Sequence, residues 1–151
     1  MEVDLIIGKQ HQGGLLVTLD RATLKTTIDK INTRQPQEIK KLILKRMKNN
    51  PHLKTMTFDN DQAFSLHQDI ATELGIQTYF TRPYTSQDKG SIENRNGVIR
   101  RWYPKKTDFT KVTDSEVKQV ETLINNRPVR KFNYKTPNEL HLQKTKVALI
   151  T

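Results

Sequence analysis

The apolar positions divide the chain into three strand-like segments followed by alternating helices and strands. Residues 2–9 and 15–19 are short apolar runs typical of buried strands, whereas residues 26–31 alternate polar and apolar side chains as an edge strand does. Residues 11–14 (His-Gln-Gly-Gly) predict a hairpin between the first two runs, because glycine reaches the positive φ that such turns need. Three strands with short links indicate an antiparallel meander.

Helical spacing begins at Pro36, where apolar residues recur on one face until residues 49–51 (Asn-Asn-Pro) end the helix. The later pattern predicts, in order, a strand at 54–58, a helix at 63–74, a strand at 76–80, a helix at 91–102, and helices opened by capping boxes at Thr113 and Thr136. A meander followed by strand–helix alternation indicates an α/β protein, with a mixed sheet flanked by helices.

Composition limits the classes of protein to which the chain can belong. Its 151 residues suit one domain, and the absence of cysteine excludes a disulfide scaffold and a cysteine-ligated metal site. No apolar run is long enough for a membrane span and no signal peptide opens the chain, so we expect a cytoplasmic protein with no membrane partner. The formal charge of +10 indicates a polyanionic partner, most often nucleic acid.

The positive charge is concentrated in the second half of the chain. Residues 1–85 carry 12 basic and 9 acidic side chains, and residues 86–151 carry 14 and 7. For any single cation a solvated surface charge is the simpler interpretation, so only the cluster supports DNA binding. The candidate DNA-binding cations are Lys89, Arg95, Arg100, Arg101, Lys105, Lys106, Arg127, Arg130, Lys131 and Lys135.

Three acids stand out by their positions. Asp4 lies within the most apolar strand, Asp59 directly follows another, and Glu93 lies early in the helix predicted at 91–102. Each has an ordinary interpretation when taken alone: a buried acid paired with a lysine, a helix cap, and a first-turn acid facing the helix dipole. If the two strands are neighbours, however, the three carboxylates can converge. Oxygen ligands without sulfur or imidazole suit Mg²⁺ or Mn²⁺.

The helix around Glu93 has two distinct faces. Glu93, Asn96, Gly97 and Arg100 share one face, which suits a metal site beside a phosphate backbone, so Asn96 joins the candidate DNA contacts. Ile92, Ile99 and Trp102 share another face, which we expect to be buried. The alternative interpretation is an amphipathic surface helix in which Glu93 and Arg100 simply pair.

Several ordered motifs covering nearly the whole chain resemble one family. They are residues 2–9 (Glu-Val-Asp-Leu-Ile-Ile-Gly-Lys), 57–60 (Thr-Phe-Asp-Asn), 82–84 (Arg-Pro-Tyr), 90–97 (Gly-Ser-Ile-Glu-Asn-Arg-Asn-Gly), 100–105 (Arg-Arg-Trp-Tyr-Pro-Lys), 107–109 (Thr-Asp-Phe), 123–128 (Leu-Ile-Asn-Asn-Arg-Pro) and 134–137 (Tyr-Lys-Thr-Pro). With 33 residues between Asp59 and Glu93, the chain resembles the catalytic core of DDE transposases of the IS-thirty family of bacterial insertion sequences, which are relatives of retroviral integrases.

The resemblance implies a ribonuclease-H-like fold of residues 1–151 and a catalytic, metal-binding triad of Asp4, Asp59 and Glu93. It implies Mg²⁺-dependent cutting at transposon ends, with Mn²⁺ as a substitute, followed by attack of the freed 3′-hydroxyl on a target duplex. It also implies a homo-oligomer. Members of the family carry an N-terminal helix-turn-helix part, which we expect to be absent here because Met1 directly precedes the first catalytic strand.

Two other functions fit the same residues. A ribonuclease-H-like nuclease would use the same acids and ions to cut structured nucleic acid without joining it. A non-catalytic DNA-binding remnant of a transposase would keep the basic surface without turnover. Joining of a 3′-hydroxyl DNA end to a second duplex distinguishes the transposase from both.

Overall fold

The computed structural model describes residues 1–82, 85 and 90–150, with the side chains of residues 148–150 outside the description. Within these ranges, five strands form one mixed sheet in the order β3-β2-β1-β4-β5. The strands are β1 (Glu2–Ile7), β2 (Gly14–Leu19), β3 (Thr26–Ile31), β4 (Thr55–Phe58) and β5 (Gln77–Phe80). The first three strands are antiparallel, as the meander predicted, while β4 and β5 run parallel to β1.

The described residues form five α-helices beside the sheet. They are α1 (Pro36–Met47), α2 (His67–Leu74), α3 (Gly90–Ile99), α4 (Asp114–Asn125) and α5 (Pro137–Ile150). Both predicted capping boxes are confirmed: Thr113 and Glu116 exchange hydrogen bonds at the start of α4, as do Thr136 and Glu139 at the start of α5. The described helices are too short or too polar to cross a membrane.

Two helices are shorter than the sequence predicts. The segment predicted as one helix from residue 63 is divided into a 3-10 turn at Gln62–Phe64 and α2, because Leu66 leaves the helical conformation (φ −89°, ψ 23°). Helix α3 ends at Ile99 because the backbone tightens there, with Arg101 and Trp102 bonding to carbonyls three residues back. Trp102 is 41% exposed, so the prediction that it is buried was wrong.

The core lies in two layers, one on each face of the sheet. Alternate positions of the strands point to opposite faces, so Val3 faces α1 and α2, whereas Ile6 faces α3 and α4. Each fully buried side chain of this size contributes about 1.5–3 kcal/mol. Because side chains alternate along a strand, Glu2 and Asp4 share the α3 face of the sheet with Ile6.

Helix α4 covers the outer edge of β3 with polar side chains. The Asn125 amide accepts from the backbone N–H of Thr26 (2.9 Å) and donates to its carbonyl (2.7 Å). Glu121 accepts from the backbone N–H of Ile28 (2.9 Å). These bonds satisfy backbone groups that an edge strand would otherwise expose.

The turn between β2 and β3 is attached to several distant elements. Lys144 and Asn138 of α5 bond to Asp20 and Lys25 of this turn, respectively. Arg95 of α3 donates to the carbonyl of Leu24 (3.3 Å). The turn therefore holds helices from the second half of the chain against a hairpin from the first half.

Candidate active site

Asp4 and Asp59 lie side by side on neighbouring parallel strands. Val3 of β1 is paired with Phe58 of β4, and each of the two acids directly follows one member of that pair. Both acids line one small cleft, together with Thr81 after β5 and Ile92 of α3. The two strands are therefore neighbours, which is the condition that the sequence left open for convergence of their carboxylates.

The carboxylate of Asp59 is held at the ends of β4 and β5. Its Oδ1 accepts from the backbone N–H of Asn60 (2.7 Å) and lies 3.5 Å from the hydroxyl of Thr81. The Asn60 side chain in turn donates to the carbonyl of Thr81 (2.8 Å). The helix-capping role that was the alternative for Asp59 belongs instead to Asp61, which accepts from the backbone N–H of Ala63 and pairs with Arg34.

Among the described residues, a backbone N–H and a side-chain amide donate to Asp4. Its Oδ1 accepts from the backbone N–H of Leu5 (2.8 Å), and its Oδ2 accepts from the side-chain amide of Asn96 (2.9 Å). The Oδ1 atom of Asn96 is buried without a hydrogen-bond partner among the described residues. The residue that the sequence indicated as a DNA contact thus reaches the acid itself.

Glu93 is not among the described residues that line this cleft. It is exposed on α3, one helical turn before Asn96, and the preceding residue, Ile92, lines the cleft. Among the described residues, no three Asp, Glu or His side chains are arranged to hold a metal ion. Asp4 and Asp59 offer the hard oxygen donors that Mg²⁺ or Mn²⁺ requires, and the three-acid site remains a prediction.

Glu2 is a second acid of β1 in the cleft and was not among the acids predicted for the site. Its side chain is 4% exposed, and Arg21 Nε lies 3.2 Å from its Oε1. Burial raises the pKa of Glu2, opposed by the Arg21 guanidinium and the backbone N–H of Ile92. Its spacing of two residues from Asp4 in a strand was the signal that placed both acids on one face.

Two candidate cations bond to the protein backbone. Arg100 donates to the carbonyls of Ile7 (3.2 Å), Tyr103 and Pro104, and burial lowers its pKa. Arg95 is half-buried and donates to Leu24. Arg95 and Arg100 therefore each connect α3, or the residue that follows it, to another segment of the chain by a hydrogen bond.

The other candidate cations lie on the surface. Arg101, Lys105, Lys106, Arg127, Arg130, Lys131 and Lys135 are exposed, and the Lys131 ammonium lies over the ring of Phe132, 4.8 Å from its centroid. None of these seven forms an ion pair with an acid of the described residues. The predicted contact Lys89 lies outside the described residues.

Comparison of the sequence identifies relatives. The chain is 42% identical over 142 residues to the transposase of insertion sequence element IS4351 from Bacteroides fragilis, covering 92% of this chain and 43% of that protein. The chain is homologous to insertion-sequence transposases. Transposase InsI of element IS30A from Escherichia coli K12 is 28% identical over 141 residues, covering 92% of this chain and 37% of its own length. No protein-family model matches.

Solved structures identify the fold of this transposase homologue. The catalytic core domain of BIV integrase superposes with a TM-score of 0.74 at 15% identity, covering 98% of this chain and 96% of that one. The sheet and its flanking helices are therefore the ribonuclease-H-like fold of integrase catalytic cores, as the resemblance implied. The chain spans about two fifths of the length of the transposases it matches.

Proposed function

We propose that this chain is the catalytic core of a bacterial insertion-sequence transposase that cuts DNA at transposon ends and joins the ends to a target duplex in the cytoplasm. The observation that carries the proposal is the adjacency of Asp4 and Asp59 at one cleft, in a chain homologous to transposases and folded as an integrase core. The proposed partners are the two DNA substrates and further copies of the chain.

The proposed metal ligands are Asp4, Asp59 and Glu93. A bound Mg²⁺ or Mn²⁺ supplies Lewis acidity and offsets the repulsion between these carboxylates and a phosphodiester. Glu93 is exposed and lies one helical turn from Asn96, whose amide contacts Asp4, and this position on α3 supports its assignment as the third ligand. Asn96, Asn60 and Thr81 hold the two aspartates in their present orientations.

The proposed DNA-binding surface is formed by the exposed cations that follow α3 and α4, namely Arg101, Lys105, Lys106, Arg127, Arg130 and Lys131. Two observations support this surface. The second half of the chain carries an excess of positive charge, and these cations form no ion pair with an acid of the described residues. Neutralisation of backbone phosphates by such side chains releases counterions, so DNA affinity should fall steeply with salt.

A Mn²⁺ titration by isothermal calorimetry tests the metal site. We expect saturable binding by the wild type and its loss in Asp59→Asn. The matched control is Asp69→Asn, which removes an exposed acid of α2 that pairs with Lys40 on the other side of the sheet. The titration is then repeated with DNA ends present. Equal binding by all three proteins in both titrations would refute the ligand assignment.

A strand-transfer assay tests the reaction. A labelled duplex with a 3′-hydroxyl end should become joined to a second, unlabelled duplex in the presence of Mg²⁺, and Asp4→Asn should abolish the joined product. Cutting without joining would favour the nuclease, and DNA binding without either product would favour the non-catalytic remnant.

A further inference from the structure

Residues 129–135, which lie between α4 and α5, form a loop that is closed by its own backbone. The N–H of Tyr134 donates to the carbonyl of Val129 (3.0 Å), and the N–H of Val129 donates to the carbonyl of Lys135 (3.1 Å). A 3-10 turn at Arg130–Phe132 lies between the residues that these bonds join. The loop therefore has a fixed backbone shape of its own.

The backbone of this loop is strained at its tip. Asn133 and Tyr134 have φ angles of 53° and 64°, in the left-handed region. Asparagine tolerates that region, but a bulky side chain rarely adopts it, and glycine would do so at no steric cost. Burial does not compensate for the strain, because Tyr134 is 67% exposed. Packing within the chain therefore does not explain a tyrosine here, and strained residues of this kind cluster at ligand-binding sites.

Unpaired cations surround the exposed ring of Tyr134. Arg130, Lys131 and Lys135 are exposed members of the same loop, which contains no acid. None of the three forms an ion pair with an acid elsewhere in the described residues. Proteins that bind single-stranded nucleic acid combine these two features, because bases stack on aromatic rings while cations contact the backbone phosphates.

Side-chain hydrogen bonds connect the start of α5, just after this loop, to other segments. Asn138 donates to Asn126, which follows α4 (2.7 Å), and it accepts from Lys25 in the turn between β2 and β3. Arg95 of α3 donates to the carbonyl of Leu24 in the same turn. The loop is therefore connected, through one turn, to the helix that contacts the candidate active site.

We propose that the loop of residues 129–135 binds single-stranded DNA, with one unpaired base stacked on the ring of Tyr134 and the adjacent backbone phosphates held by Arg130 and Lys135. This inference rests on the proposed function, because it takes DNA as the substrate. It adds a contact to a base, whereas the proposed DNA-binding surface consists of cations alone. Every base presents a π-face, so the site should recognise unpaired DNA without selecting a sequence.

The first test compares a blunt duplex with the same duplex carrying a single-stranded overhang, by fluorescence anisotropy in EDTA. We expect the wild type to bind the overhang duplex more tightly. Tyr134→Leu should weaken that binding at least about fivefold, with little change for the blunt duplex, because it loses one stacked base. Tyr134→Phe keeps the ring and should keep the preference. The control is Tyr79→Leu, which removes a tyrosine of β5 that is 51% exposed and should change neither affinity.

Two outcomes of this comparison would overturn the proposal. In the first, Tyr134→Leu binds the overhang duplex as tightly as the wild type does. In the second, the variant loses the same affinity for both duplexes, which would mean that the ring contacts paired DNA. Leucine has a Cβ as tyrosine does, so the backbone strain is unchanged and the exposed substitution should not prevent folding.

The second test separates the ring from the charges, using a single strand at salt concentrations between about 50 and 200 mM. Each phosphate contact on a single strand contributes about 0.7 to the slope of log affinity against log salt, so Arg130→Gln/Lys135→Gln should lower the slope by about 1.4. Tyr134→Leu should weaken binding without changing the slope. The charge-matched control is Lys41→Gln/Lys45→Gln on the exposed side of α1, across the sheet, which should keep the slope. An unchanged slope in Arg130→Gln/Lys135→Gln would contradict the phosphate contacts.

A photocrosslink then locates the base. A single strand that contains iodouracil is irradiated in complex with the wild type, and the residue that carries the adduct is identified by mass spectrometry. We expect the adduct on Tyr134, because the reactive base must lie against the ring. Adducts found only on other residues would overturn the assignment of the stacking residue.

This inference can fail separately from the proposed function. Binding in EDTA does not require the metal site, so Asp59→Asn should bind the overhang duplex as the wild type does. If Tyr134→Leu behaves as expected while the wild type joins no DNA, the single-strand site stands and the proposed activity fails. If the wild type joins DNA and Tyr134→Leu keeps its affinity for the overhang duplex, the activity stands and the single-strand site fails.

Discussion

The side-chain amide of Asn96 donates a 2.9 Å hydrogen bond to Oδ2 of Asp4, across 92 residues of sequence. The bond joins the central strand to α3, the helix that also carries Glu93. The bond fixes one oxygen of Asp4. Because Asn96 and Glu93 belong to the same helix, the position of Glu93 relative to Asp4 depends on how α3 lies on the sheet. Orientation of a ligand by a neighbouring amide is the kind of support that metal sites commonly need.

We expect Asn96→Ala to weaken Mn²⁺ binding and DNA joining by about 10–100-fold, because Asp4 loses the donor that orients it. Calorimetry and the strand-transfer assay measure the two effects. The matched control is Asn94→Ala, which removes the same amide from an exposed position of the same helix and should leave both unchanged. Equal losses in the two variants would mean that Asn96 acts only through helix stability.

We expect Asn125→Ala to lower the free energy of unfolding by about 3 kcal/mol, because the buried N–H and carbonyl of Thr26 both lose their partner. Urea unfolding monitored by circular dichroism measures the change. Asn126→Ala is the control: Asn126 is exposed and its side chain bonds only to that of Asn138 among the described residues, so we expect less than about 0.5 kcal/mol. Similar costs for both would contradict the role of Asn125 at the sheet edge.

Two glycines should respond oppositely to alanine. A Cβ at Gly14 would lie 2.4 Å from the backbone carbonyl oxygen of Ile6, so Gly14→Ala must displace β1 or β2 and should cost about 2 kcal/mol or more. A Cβ at Gly97 meets no atom within 4 Å, so Gly97→Ala should stabilise α3 by up to about 1 kcal/mol. Thermal unfolding of the two variants beside the wild type tests the difference in sign.

His141 should make stability depend on pH in mildly acidic solution. Burial and the charge of Lys25 lower its pKa below 6.5, with Lys144 and His52 acting in the same direction and Asp20 opposing them. Since the unfolded chain then binds the proton more tightly, stability is present above that value and is lost as the pH falls through it. Urea midpoints at about pH 7.5 and about pH 5.5 should therefore differ more for the wild type than for His141→Gln. An identical difference in both proteins would contradict this assignment.

The strands, helices and capping boxes could be predicted from sequence because their signals are local. The apolar run of β1, the period of α1 and the paired Thr113 and Glu116 each lie within one turn or one strand. The division at Leu66 could not be predicted, because Asp61 caps a separate short turn just before it. Trp102 was predicted to be buried because, in a continuous helix, it would share a face with Ile92 and Ile99. Helix α3 ends at Ile99, so Trp102 does not lie on that face.

The candidate site was predictable to a different degree at each residue. The positions of Asp4 and Asp59 relative to apolar strands indicated that the two acids could converge if those strands were neighbours, and the strand register shows that they are. The contact between Asn96 and Asp4 was not predicted, because it depends on how α3 crosses the sheet. The hydrogen bond from Arg100 to the carbonyl of Ile7 could not be predicted for the same reason. The charge of Arg100 suggested a DNA contact and gave no information about a backbone carbonyl 93 residues away. The roles of Glu93 and of the exposed cations stay predictions.

The turn between β2 and β3 also bears on how the chain folds. The bonds that this turn and the first residue of β3 make to Arg95, Asn125, Asn138 and Lys144 span 71, 99, 113 and 124 residues of sequence, respectively. The hairpin itself can form early from local contacts, but these bonds must wait for the closure of long loops, which slows folding. During synthesis the hairpin leaves the ribosome long before α5 does. We therefore expect the β3 edge and the α3 face of the sheet to stay uncovered in the nascent chain, and a chaperone that binds apolar surface would act in that interval.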